Sequence, residues 1–201
     1  MIFRIKHILL IFFIGLLSQV KLVNANSNIQ NLFLEQLSVE DGLSQGTVNS
    51  ILADKEGFIW LATDNGVNIY DGYSFNRLPG PNNNFIDSSV YFVKQDSLGF
   101  VWLNVDEGVF RYQPKTNQYQ LILANNFNNV GHYVVDVIEG ENSHDELGYW
   151  LATSKTISFY HPDKTEFQVK VDLSKELPEK ENIFQIKYHQ QVLYIGTRVG
   201  V

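Results

Sequence analysis

The phrase "WLATDNGVNIYDG", which begins at Trp60, returns as "WLNVDEGVFRYQP" from Trp102 and as "WLATSKTISFYHP" from Trp150. Its opening returns once more as "YIGTRVGV" from Tyr194. The first two intervals are 42 and 48 residues. Repeats of about 40–45 residues with four strands each are the mark of propeller blades. The first unit reads as four strands: Val48–Leu52, Phe58–Thr63, Val67–Tyr70 and Tyr73–Leu78. Between them lie Asp54-Lys55-Glu56-Gly57, Asp64-Asn65-Gly66 and Asp71-Gly72, where Asp opens a turn and Gly takes the conformations that a turn demands. Nothing in the unit has helical period.

The second unit matches part by part, with Val90–Val93, Phe100–Val105, Val109–Tyr112 and Gln118–Leu123. The third has Val134–Ile138, Tyr149–Thr153, Ile157–Tyr160 and Glu166–Val171. The fourth has Ile183–Tyr188 and Val192–Thr197, and Val201 aligns with Val67, the first residue of a third strand. Leu32–Ser38 can supply one more strand. The expected fold is therefore an all-β β-propeller of about three and a half four-stranded blades in an incomplete ring, with repeats near 40–78, 86–123, 132–171 and 181–201. Such a chain reads as the front of a longer ring or as a truncated reading frame, because propellers close with four to eight blades.

Each unit's second strand is apolar on both faces, as in Phe58-Ile59-Trp60-Leu61. A strand apolar on both sides is buried on both sides, and a blade sandwiched between neighbours provides that. Trp60, Trp102, Trp150 and Tyr194 are then packing residues between blades, with sugar stacking as the alternative. Gly57, Gly66, Gly99 and Gly108 are the matching turn glycines.

Before the repeats, Arg4, Lys6 and His7 precede the apolar run Ile8–Leu17, and "VNA" closes at Ala25. That run is too short to span a bilayer and has the length of a signal-peptide core. Residues 1–25 are expected to be removed, leaving a mature chain from Asn26 outside the cytoplasm. All 22 acidic residues lie in the mature part. Of the 15 basic ones, Arg4, Lys6 and Lys21 lie in the leader, so the mature net charge is near −10. That balance argues against nucleic-acid partners, which need clustered Lys and Arg. The absence of Cys removes disulfides, thiolate metal sites and a cysteine nucleophile.

"EDGLSQGTVNSILADKEGFIWLATDNGVNIYDGYSF", from Glu40 to Phe75, resembles the two-component regulator propeller repeat. The matching positions are Gly42-Leu43-Ser44, Val48, Ile51, Asp54, Gly57, Ile59, Trp60, Thr63, Gly66, Val67 and Asp71-Gly72. The second unit keeps Asp96, Gly99, Trp102 and Gly108 but has Val105 for Thr. The third keeps Gly148, Trp150 and Thr153 and loses the turn glycine. The fourth has Tyr194 for Trp. The resemblance implies a periplasmic sensor head, which in that family continues through more blades and a membrane helix into a histidine kinase or diguanylate cyclase. It also implies an intact protein anchored in the inner membrane. None of those output parts occurs in this sequence, so no enzyme activity is assigned to it.

A search for chemistry finds no nucleophile elbow, no zinc-protease motif and no phosphate loop. His132, His144, His161 and His189 are scattered, and Asp64, Asp71 and Asp106 sit beside turn glycines rather than in a calcium spacing. No cofactor and no metal is expected. Two stretches lie outside the blade pattern. Glu139–Gly148 lengthens the third unit's first hairpin and reads as a charged surface insertion. The connectors "PGPNNNFIDSS" (79–89) and "ANNFNNVGHY" (124–133) each set a Phe among Asn. Asn83, Asn84, Phe85, Asn126, Phe127, Asn128 and His132 are accordingly candidate ligand-binding residues, suited to a glycan or another small polar ligand; the alternative is that Asn makes the loops and Phe tucks beneath them. Other expected partners are the missing C-terminal signalling domains and a second copy of the intact protein. The leading reading is an extracytoplasmic ligand-binding sensor module. The alternative is the front of an exported propeller enzyme acting on polysaccharide.

Overall fold

A computed structural model describes residues 34–124, 134–164, 167–178 and 181–198. The chain divides into two units, Met1–Gln36 and Leu37–Val201. Of the first, only residues 34–36 are described, and they carry no regular structure. The leader lies outside the described residues.

The second unit is built from four-stranded antiparallel sheets whose strands follow chain order. The first blade comprises β1 (Val48–Ala53), β2 (Ile59–Thr63), β3 (Gly66–Tyr70) and β4 (Phe75–Leu78). The second comprises β5 (Val90–Gln95), β6 (Val101–Val105), β7 (Gly108–Gln113) and β8 (Gln118–Ala124). The third comprises β9 (Val134–Glu141), β10 (Leu147–Thr153), β11 (Thr156–Tyr160) and β12 (Val169–Asp172). A two-stranded sheet follows, β13 (Gln185–His189) and β14 (Val192–Gly196). No α-helix occurs among the described residues, and no helix there is long and apolar enough to cross a membrane. This is the expected incomplete propeller, with strand ends within one or two residues of their expected places for most strands.

The core lies in the seams between blades, because a four-stranded sheet has two apolar faces and each needs a neighbour. Trp60, Val67 and Leu78 of the first blade pack with Val93, Leu103 and Tyr112 of the second. Trp102 and Val109 of the second pack with Val137, Tyr149 and Tyr160 of the third. Ala152 and Ile157 of the third pack with Ile183 and Ile186, with Trp150 partly buried beside them. All five residues of β6 are buried, as a strand covered on both faces should be. Tyr194, at the position of the tryptophans, is 45% exposed, against 3% for Trp60 and 2% for Trp102.

Polar clasps repeat along the seams. The amide of Lys55 donates to Gln95 Oε1 at 2.9 Å. One blade on, the amide of Ser97 donates to Glu139, equivalent to Gln95, at 3.0 Å. At the third seam the amide of Ile186 donates to the buried Asp136 carboxylate at 2.9 Å.

Two expectations are corrected. Leu32–Ser38 does not supply a strand in its described part, residues 34–38. Ser38 instead caps a 3-10 turn, Val39–Asp41, taking the Glu40 amide on its hydroxyl while its own amide donates to Asp41. Glu139–Gly148 does lengthen the hairpin, but Gly148 does not hold the turn. The ladder simply continues, pairing Tyr149 with Glu139, Gly148 with Gly140 and Leu147 with Glu141. The two paired glycines allow this, because neighbouring rings lie against them. A Cβ on Gly140 would come within 2.7 Å of Tyr188, and one on Gly148 within 2.6 Å of Phe159. Gly148 is thus a strand residue, not the counterpart of Gly57. The lengthened hairpin ends in an exposed ion pair, Glu146 to Lys164 at 2.9 Å. Lys164 and Asn142 together hold the Glu146 carboxyl down at about 2.

If the tryptophans are seam core, Trp60→Ala in the intact polypeptide should cost about 3–5 kcal/mol in equilibrium denaturation. A substitution without effect on stability would place the ring outside the core.

Candidate functional site

Antiparallel strands in chain order put the β1–β2 and β3–β4 turns of a blade at one end. The β2–β3 turns and the connectors between blades lie at the other. The two ends are built by different chemistry.

At the first end, one side chain organises each β1–β2 turn. Asp54 Oδ1 accepts the amides of Glu56 at 3.0 Å and Phe58 at 2.8 Å, while its Oδ2 accepts the indole N–H of Trp60 at 2.7 Å. Asp96 repeats this with Leu98, Phe100 and the indole of Trp102 at 3.1, 2.8 and 3.1 Å. Gly57 and Gly99 hold the turn's left-handed position, at φ of 96° and 86°. In the third blade Asn142 replaces the Asp and takes the amides of His144 and Glu146 at 2.8 and 3.2 Å. Asp145 takes the left-handed position, at φ of 59°. An Asn has no second carboxylate oxygen, and the indole of Trp150 donates instead to the Glu141 carbonyl at 3.1 Å.

The first two seams then diverge. In the second blade Arg111 lies across from Trp102. Its Nε and Nη2 donate to Asp96 Oδ2 at 3.1 and 2.9 Å, and Nη2 also donates to the Tyr149 hydroxyl at 2.9 Å. The Tyr149 hydroxyl donates to the same carboxylate oxygen at 2.8 Å. The guanidinium carbon stands 3.6 Å from the centre of the Phe100 ring. Arg111 and Asp96 are both buried. Burial pushes the Tyr149 hydroxyl well above the usual tyrosine range, with the Asp96 carboxylate adding to the shift.

In the first blade Ile69 lies across from Trp60, where the second blade has Arg111. A cavity of about 490 Å³ opens there, lined by Asp54, Phe58, Trp60, Ile69, Tyr112 and Lys115 among others. Asp54 Oδ2 meets only the indole among the described hydrogen bonds. Phe58, the counterpart of Phe100, is 42% exposed. The Lys55 ammonium, which also borders the cavity, is held by the carbonyls of Asp96 and Ser97 at 3.1 and 2.6 Å. This cavity is the candidate site, and neither the connectors nor the turn aspartates alone identified it from sequence.

At the other end, Thr63 accepts the Asn65 amide at 3.1 Å and donates to the Gly66 carbonyl at 2.8 Å, closing the β2–β3 turn. Ser44 is tied to Asn68 and Thr63, which fixes the Gly42-Leu43-Ser44 stretch to the blade. Gly66 and Gly108 open β3 and β7. Asp106 accepts from Ser88, Ser89 and Tyr91. Back at the first end, in the β3–β4 turn, Asp71 accepts the amides of Ser74 and Tyr73, which lower its carboxyl below the usual range. No group of three or more His, Asp or Glu suited to a metal occurs among the described residues.

Of the connector candidates, Asn126, Phe127, Asn128 and His132 lie outside the described residues. Asn83 is exposed, and Asn84 Oδ1 is buried without a hydrogen-bond partner. Phe85 has no exposed surface, so its ring is no stacking platform. It sits edge-on to Phe110 and Tyr119 at 5.0 and 5.6 Å. Gly80, at φ of 72°, lets the connector fold back over it; a Cβ there would lie 2.3 Å from the ring.

If the turn carboxylate organises a seam, the two blades should respond differently to its loss. Asp96→Ala strands a buried guanidinium and should cost about 3–5 kcal/mol. Asp54→Ala loses turn and indole bonds only, about 1–3 kcal/mol. Equal costs by urea denaturation would contradict this.

Residues 42–65 match the family described as two component regulator propeller. Three solved chains share the fold. One, described as the extracellular domain of the hybrid two component system BT3049 from B. thetaiotaomicron, is 23% identical with a TM-score of 0.62, over 81% of this chain and 23% of that one. The extracellular domain of BT4673 from the same organism, described as a one component system, is 23% identical with a TM-score of 0.64, over 84% of this chain and 23% of that one. A further chain from BT4673, described as a hybrid two component system, is 15% identical with a TM-score of 0.59, over 76% and 20%. The chain thus spans about a quarter of the length of these domains. No curated protein matches. Asp54, Gly57, Trp60 and Thr63, whose bonds and turn build the first blade, all lie within the matched stretch, so the chain is a propeller whose first blade is similar to the two component regulator propeller family.

Proposed function

We propose that this chain belongs to the extracytoplasmic sensory head of a bacterial signal-transduction protein, in which the blades bind a ligand and pass strain to an output domain. The repeat match at residues 42–65 carries this reading. The fold likeness to extracellular domains of hybrid and one component systems supports it. The charged-poor, Asn-rich connector 79–89 is suited to a glycan or another small polar ligand through Asn83 and Asn84, with Phe85 serving as the packed floor beneath. This reading takes the blades as part of a longer ring, in keeping with solved extracellular domains of which the chain covers 23%. Residues 1–25 direct export, and the mature chain begins at Asn26.

The test is made in the native host, with the intact gene. N-terminal sequencing should start at Asn26 in the extracytoplasmic fraction. Deleting residues 40–123 should abolish a transcriptional response to the cognate glycan. A protein starting at Met1 in the cytoplasm, or purified polypeptide that cleaves polysaccharide with no signalling defect on deletion, would overturn the reading.

A further inference from the structure

The second seam shows what the open cavity of the first seam is shaped to hold. Asp54, Phe58 and Trp60 correspond to Asp96, Phe100 and Trp102, and each trio makes the same turn and indole bonds. In the second seam the trio closes around the guanidinium of Arg111, carboxylate on its edge and phenyl ring on its face. In the first seam the arginine position is Ile69, and the tyrosine that caps the guanidinium, Tyr149, corresponds to Val101. Both replacements remove the polar groups that fill the second seam, and Ile69 lines the cavity of about 490 Å³. The receptor groups remain while the internal occupant is gone. From this we propose that the cavity between the first two blades binds an alkyl guanidinium, a free small molecule or an arginine side chain of another chain.

The chemistry favours a guanidinium over an ammonium. The planar group stacks on an aromatic face while its edge donates to a carboxylate, two demands that a compact ammonium does not meet together. The bonds to Asp54 are charge-assisted, and Oδ2 has lone pairs left after accepting the indole. The exposed face of Phe58 is where the ligand's face lies, as Arg111 lies on Phe100. Lys55 does not compete, because its ammonium is tied to the Asp96 and Ser97 carbonyls. Lys115 stands at the rim, where it meets the carboxylate of a ligand that has one.

The probe is agmatine, titrated against the intact polypeptide by calorimetry, with 1-pentanol as an uncharged control of similar reach. Agmatine should bind saturably and at least about tenfold more tightly than 1-pentanol, a difference of about 1.4 kcal/mol. The tripeptide Gly-Arg-Gly, run in parallel, tells whether the guanidinium is taken from a chain or as a free molecule; preference for either keeps the assignment. Ile69→Arg installs the second blade's own occupant and should remove agmatine binding while the protein stays folded. Should that variant fail to fold, Phe58→Leu at the exposed rim should weaken agmatine roughly threefold through the lost cation–ring contact. No saturable agmatine binding to folded protein, or binding that neither variant alters, would overturn the proposal.

Discussion

A single carboxylate oxygen settles how each of the first two blades meets the next. Asp54 and Asp96 spend one oxygen on two backbone amides and the other on a tryptophan indole six residues on. The first pair of bonds fixes the turn between the inner strands. The indole bond fixes the rotation of the largest side chain in the seam. A buried indole N–H without a partner would carry the desolvation cost of an unmade hydrogen bond. The aspartate removes that cost and aims the ring at the neighbouring blade, where Trp60 meets Tyr112 at 6.1 Å and Trp102 meets Tyr149 at 4.5 Å. In the first two blades the indoles so placed belong to the seam core. The third blade shows the dependence from the other side: with Asn142 in place, the turn survives and the indole turns to a backbone carbonyl.

The same carboxylate also carries a charge, and what balances it makes the seams unlike. Between the second and third blades the balance is internal, a guanidinium held on Asp96, Phe100 and Tyr149. A buried pair of this kind is weak evidence for added stability, while removing one partner leaves an uncompensated buried charge. Between the first and second blades the carboxylate borders open space instead. One seam carries its own guanidinium, and the other has the same carboxylate, phenyl ring and indole without one. An occupant of the first seam would touch two blades at once, because the cavity is lined from both.

Much of the fold was legible in the sequence for a definite reason. The turn residues and the tryptophans recur in register, and their hydrogen bonds are the ones that build the blade. The misreadings came where the same backbone is made by other residues. Asp145 takes the left-handed position without being glycine, so Gly148 was matched to the turn although it is a strand residue. For Phe85 the sequence left two readings open, platform or tucked ring, and the structure has the tucked one, because Gly80 folds the connector over it. The cavity was written in the sequence as well. Ile69 and Arg111 each stand nine residues after a repeat tryptophan. Only the packing of one blade on the next shows that this position faces the turn carboxylate.

The account rests on the carboxylate–indole pair, and the chain's three tryptophans make it directly measurable. A nitrogen–proton correlation spectrum of the intact polypeptide, with its tryptophans assigned, resolves their indole N–H groups. Asp54→Asn should move the Trp60 indole resonance alone, and Asp96→Asn that of Trp102. Trp150, bonded to the Glu141 carbonyl, should stay in place in both. An Asp54→Asn spectrum in which no indole resonance moves would contradict the account.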